Sequence, residues 1–112
     1  MTFEQLENYI NIRNEIEFTY RGKKYSITYW YPDDNEDNAL ISFCEFYKET
    51  TEVKTASDLW NNIYRDGVSV GEMLSSIKQE DIYFLIIFFY SFANTKQKPE
   101  SRITLTFRPH GA

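Results

Sequence analysis

The residues with the clearest chemical potential lie between Pro32 and Ala39, where Asp33, Asp34, Asn35, Glu36, Asp37 and Asn38 follow one another. Oxygen ligands at alternate positions, Asp33, Asn35 and Asp37, followed by Leu40, match the opening of a helix-flanked calcium loop. The match stops there. The sixth position is Asn38, where such a loop needs glycine for its sharp turn, and the twelfth is Cys44, where a bidentate glutamate should close the shell. A solvated turn has the same composition, so Asp33, Asn35 and Asp37 form an incomplete candidate for a cation site.

Nucleophilic chemistry finds less to work with. Cys44 is the only cysteine and His110, third from the end, the only histidine, so a thiolate would depend on a base in a tail expected to fray. Serine catalysis would need that same histidine. One cysteine and one histidine cannot supply the four ligands of a zinc site. Glu15 and Glu17 share one face of a strand and repel modestly, an arrangement typical of a solvent side rather than of an acid–base pair. The four glycines are too scattered to cradle a phosphate. The sequence therefore predicts no catalytic residues and no cofactor.

What remains is an excess of aromatic residues, above all Tyr29, Trp30 and Tyr31 in succession. The elements that position them follow from period and punctuation. Thr2 with Gln5, Thr55 with Asp58 and Ser69 with Glu72 each set a hydroxyl three residues before a side chain that can reach back, which marks three helix starts. The first helix buries Phe3, Leu6, Tyr9 and Ile10. The second is expected over about 56–65, with Gly67 as its left-handed terminator, and the third over about 70–78, stapled by Val68 and Met73.

Between the first two helices the apolar period changes from 3.6 to 2. Ile16, Phe18 and Tyr20, then Tyr25, Ile27, Tyr29 and Tyr31, alternate around Arg21-Gly22, which specifies a hairpin. A two-residue loop pairs Phe18 with Tyr25 and Ile16 with Ile27; a four-residue loop pairs Tyr20 with Tyr25 and keeps the same faces. Trp30 then shares the opposite face with Ser26 and Thr28, beside Glu15, Glu17 and Thr19, either covered by the C-terminal segment or exposed as an anchor. A third strand spans ALISFCEF with its parity open. Residues 82–89 are apolar on both faces, as in a strand covered on each side or a buried helix. After the loop at 93–101, Ile103, Leu105 and Phe107 alternate in a last strand. The fold class is α+β, an antiparallel sheet of about four to five strands with about three short helices, in a single domain over 1–112.

The net charge of −5 is uneven: the last 19 residues carry +3 and the first 93 carry −8. That balance argues against direct nucleic-acid binding, which needs a basic face to displace counterions, and favours a protein partner. The longest apolar run has 12 residues, short of the roughly 20 that span a membrane. No basic region followed by an apolar stretch opens the chain, and a lone cysteine fits a reducing compartment, so the expected location is the cytoplasm.

The segment EIEFTYRGKKYSI after a short capped helix, together with DGVSVGEML, resembles small uncharacterised proteins of Gram-positive bacteria and their phages over about the first 80 residues. The resemblance implies a hairpin and no activity. Three functional expectations follow. The first is a non-enzymatic, acidic protein-interaction module using Trp30, Glu15 and Glu17. The second is a phage-type inhibitor that mimics nucleic acid, of the anti-CRISPR or anti-restriction class. The third is a small-molecule binding protein or enzyme with a Tyr-lined pocket.

Overall fold

The computed structural model describes residues 1–89 and 102–107, with backbone alone at 36, 85–89 and 102–107. The loop expected at 93–101 and the tail around His110 lie outside the described residues. Helix α1 (Phe3–Asn11) starts at Thr2, whose side chain accepts from the Gln5 N–H while the Gln5 side chain accepts from the Thr2 N–H, a complete capping box. Strands β1 (Glu15–Tyr20) and β2 (Lys23–Trp30) form the expected hairpin in its two-residue-loop register, with Ile16 opposite Ile27 and Phe18 opposite Tyr25. Arg21 and Gly22 both have positive φ, 50° and 79°. That is the type I′ turn, whose twist matches the flanking strands.

Strands β3 (Leu40–Glu45) and β4 (Thr51–Val53) extend the meander. The chain then crosses one face of the sheet through α2 (Ala56–Asn62), a two-stranded ribbon of β5 (Tyr64–Arg65) and β6 (Val68–Ser69), and α3 (Val70–Ser76). It returns as β7 (Ile82–Phe89) beside β1, and β8 (Arg102–Phe107) pairs outside β7. The antiparallel order is β4-β3-β2-β1-β7-β8. The fold is α+β, as expected, with three α-helices among the described residues; the three-residue β4 and the ribbon are additional strands.

The structure corrects two local expectations. Helix α2 ends at Asn62, three residues early, because Ile63 turns extended and Tyr64–Arg65 pair with Val68–Ser69. Gly67 is left-handed (φ 80°) as expected, but as the second residue of a type I′ turn after Asp66 (φ 53°), not as a helix terminator. Residues 82–89 are a strand. Period alone left strand and helix open there, and pairing with β1 on one side and β8 on the other decides it.

All three helices pack on the same sheet face. Leu6, Ile10, Leu59, Val70, Met73 and Leu74 are buried against Ile16, Phe18, Tyr25, Ile27, Ile41, Phe43, Ile82 and Phe84 in one core. Phe18, Tyr25 and Phe43 stack in series with centroids 5.4 and 5.5 Å apart. The parity left open for β3 is thereby settled: Ile41 and Phe43 face the helices, and Leu40, Ser42 and Cys44 face away. No helix among the described residues is long and apolar enough to cross a membrane.

Candidate functional site

The face turned away from the helices gathers the predicted interaction residues. Alternation on β1 and β2 sends Glu15, Glu17, Thr19, Ser26, Thr28 and Trp30 to that side, and cross-strand pairing carries the set onward. Glu17 faces Ser26 and Tyr83, Ser26 faces Cys44, Ser42 faces Glu52, and Trp30 faces Leu40. The core built by the helices contains none of these residues. Trp30 is 54% exposed, so the indole is largely open to solvent and is not part of the core under the helices. An indole that wet is a candidate anchor, since tryptophan offers large rigid contact area at low entropy cost.

The face bears a depression, a hollow of about 260 Å³ lined by Glu17, Phe18, Thr19, Lys24, Phe46 and Tyr83. Phe46 reaches it because the chain turns at the end of β3, where its N–H donates to the Lys24 carbonyl at 2.9 Å. Nearby, Cys44 Sγ and Ser26 Oγ lie 3.2 Å apart, a contact in which either can donate. Cys44 is half-buried and satisfied by a hydroxyl, which has no capacity to act as a base toward it. Tyr25 and Tyr29 point toward the helices, the side on which the Tyr-lined pocket of the third expectation would lie. Tyr29 donates from its hydroxyl to the Asn14 carbonyl at 2.6 Å, tying β2 to the end of α1, and burial pushes its phenol well above the ordinary tyrosine range.

The predicted cation-site residues occupy the β2–β3 loop as a self-contained turn. Asp33 Oδ1 accepts from the Asn35 N–H, Asp33 Oδ2 from the Asn38 side chain at 2.7 Å, and Asn35 Oδ1 from the Asp37 N–H. The bond from Asn38 and then that from Asn35 hold the Asp33 carboxyl below the usual carboxylate range. Among the described residues no three His, Cys, Asp or Glu side chains stand close enough to hold a metal ion. Asp33 Oδ1 and Asn35 Oδ1 thereby close Asx turns, with Asp34 left-handed at φ 59°.

A second group of polar side chains escaped the sequence reading. The two type I′ turns lie side by side, joined by Lys23 Nζ to Asp66 Oδ2 at 2.9 Å. The hydrogen bond and then the charge of Lys23 hold the Asp66 carboxyl below its ordinary value, and Asp66 in turn holds the Lys23 ammonium above its own. Arg65 stacks over the Phe43 ring at 5.2 Å and donates to Thr51 Oγ1 at 2.8 Å. Two Asp/Arg-Gly turns far apart in sequence carried no signal that they would meet.

No family model, no curated protein and no solved structure matches this chain.

Proposed function

We propose that the protein is a non-enzymatic interaction module whose sheet face turned away from the helices docks a basic protein segment, with Trp30 as the anchor. The observation that carries this reading is the exposed indole at the edge of a face that also bears Glu15, Glu17 and Glu52. A lysine or arginine from the partner gains twice there: it lies over the indole face, worth about 0.5–1 kcal/mol at an exposed site, and it approaches three carboxylates that steer its encounter. Leu40 beside Trp30 and Phe46 at the hollow supply apolar contact.

The size of the face sets the expected strength. Six strands about 4.8 Å apart, each about six residues of 3.3 Å, present roughly 29 × 20 Å, or about 580 Å². A standard interface buries about 800 Å² on each partner. The complex is therefore of the weak, transient class unless the partner also reaches over an edge.

Capture from a native lysate with the wild type, Trp30→Ala and Glu17→Lys, read by mass spectrometry, tests the reading. The expected result is a set of basic partners bound by the wild type, depleted on both variants and released as salt rises. Identical captures by all three proteins, or capture that is indifferent to salt, would sink it.

A further inference from the structure

At the opposite end of the sheet from Trp30, between the β1–β2 turn and the β5–β6 ribbon, lies a hollow of about 170 Å³. It is lined by Tyr20, Arg21, Lys23, Tyr25, Arg65, Asp66, Val68 and Met73. We propose that this hollow binds a small oxyanion group, phosphate or carboxylate, through Arg21, Lys23, Arg65 and the Tyr25 hydroxyl.

Tyr25 is the most deeply buried polar residue of the lining. Its residue is 2% exposed, its ring is held between Phe18 and Phe43, and its hydroxyl makes no hydrogen bond to a described residue. No buried side-chain nitrogen or oxygen among the described residues lacks a partner, so that hydroxyl is not sealed in. The hollow is what it opens into. A buried aromatic that spends its one polar atom on a cavity offers that cavity a hydrogen bond. Burial, its largest perturbation, raises the Tyr25 phenol above its ordinary value, so at neutral pH the oxygen keeps its proton and donates.

The other polar groups are donors as well. Arg65 uses two N–H groups, toward the Tyr64 carbonyl and Thr51 Oγ1, and keeps the rest of its five. Lys23 uses one of three on Asp66, and Arg21 lies over the Tyr20 ring at 5.0 Å with no hydrogen bond to a described residue. Asp66 is the one carboxylate in the lining and is already engaged. Glu45 lies near enough to bias Lys23 and Tyr25 but does not line the hollow. A wall of donors with its acceptor occupied recognises an acceptor-rich guest, and three cations in a chain of net charge −5 recognise a negative one. At about 170 Å³ the hollow is roomy enough for a small oxyanion.

Isothermal titration in a low-salt, phosphate-free buffer tests this, with inorganic phosphate and acetate as separate probes. Proteins compared are the wild type, Tyr25→Phe, Arg21→Gln and, as a control for bulk charge, Lys78→Gln. The expected result is saturable binding of at least one probe by the wild type. It should weaken about ten-fold in Tyr25→Phe, the loss of a hydrogen bond to a charged group, and about two- to five-fold in Arg21→Gln, and stay unchanged in Lys78→Gln. The probe bound more tightly identifies the group. Tyr25→Phe removes no hydrogen bond among the described residues, and Arg21 is exposed, so one variant remains informative if the other melts early. Absence of saturable binding for both probes, or equal binding by the wild type, Tyr25→Phe and Arg21→Gln, overturns the proposal. So does a loss in Lys78→Gln as large as in Arg21→Gln.

Discussion

Gly71→Ala should destabilise the protein although alanine is the better helix former. Gly71 is the second residue of α3 and is buried against α2. A Cβ built there would stand 2.6 Å from Trp60 Nε1, 2.7 Å from Trp60 Cε2 and 2.7 Å from the Trp60 carbonyl oxygen. Contacts between heavy atoms are comfortable at about 3.5–4.0 Å, so α3 must back away by about 1 Å or the indole must swing. The indole is restrained by the edge of the Phe3 ring, 5.8 Å between centroids, and the carbonyl belongs to the α2 backbone. Overpacking of this kind costs about 1–3 kcal/mol, and a backbone obstacle places it at the upper end. Removing glycine from a helix returns up to about 1 kcal/mol. The net expectation is a loss of about 2 kcal/mol. With a urea dependence of about 2 kcal/mol per molar, the unfolding midpoint falls by about 1 M, and the melting temperature drops by about 8 °C at about 4 °C per kcal/mol for a chain of this size. Urea denaturation followed by far-UV circular dichroism and tryptophan fluorescence reads it, with Ser75→Ala, exposed on the same helix, as a near-neutral control. A Gly71→Ala protein as stable as the wild type, or more so, would show that helix propensity outweighs the contact and that α2 and α3 do not meet as closely as described.

Trp30→Ala should cost about 1–2 kcal/mol, because roughly half of a tryptophan's buried area is lost at about 25 cal/mol/Å² and the extended-chain reference overstates burial; a loss of 3 kcal/mol or more in a denaturation curve, as for large aromatic truncations in cores, would mean the indole is core and not anchor. Tyr29→Phe removes the bond to the Asn14 carbonyl and should cost about 1–2 kcal/mol near neutral pH. The folded-state pKa of Tyr29 lies above the unfolded one, so the folded chain holds that proton longer and stability falls as pH rises past about 10. Thermal melts should show this alkaline decline blunted in Tyr29→Phe, and equal declines would count against the buried phenol. For Asp66 the sign is opposite: the folded-state pKa is depressed, so its contribution is present above about pH 4 and disappears as pH falls through the folded value. The stability gap between wild type and Asp66→Asn should close on acidification and shrink with added salt, as measured by urea curves at several pH values; a gap that persists in strong acid would rule out the Lys23 ion pair as its source.

Local chemistry in the sequence reached as far as its own span. The β1–β2 register follows from two facts visible there: a period-2 alternation, which any one-residue slip would invert, and a dipeptide whose glycine accepts the positive φ of a tight turn. Three hydroxyl caps marked three helix starts for the same reason, since a cap and its target are neighbours in the chain. Where competing outcomes differ only in contacts between distant segments, tertiary structure decided. Residues 82–89 are apolar all round, and only a free edge on β1 made them a strand. Gly67 is left-handed in a helix terminator and in a type I′ turn alike, and the pairing of Tyr64–Arg65 with Val68–Ser69 chose the turn. Asp33 and Asn35 have the oxygens of cation ligands, but their bonds to Asn35, Asp37 and Asn38 turn them inward on the loop. The exposure of Trp30 depends on where all three helices pack, and the donor-lined hollow at Tyr25 exists because two turns more than forty residues apart, bridged by Lys23 and Asp66, come to rest side by side. Alternation names which side chains share a face; which face stays open is set by the sum of packing across the whole domain.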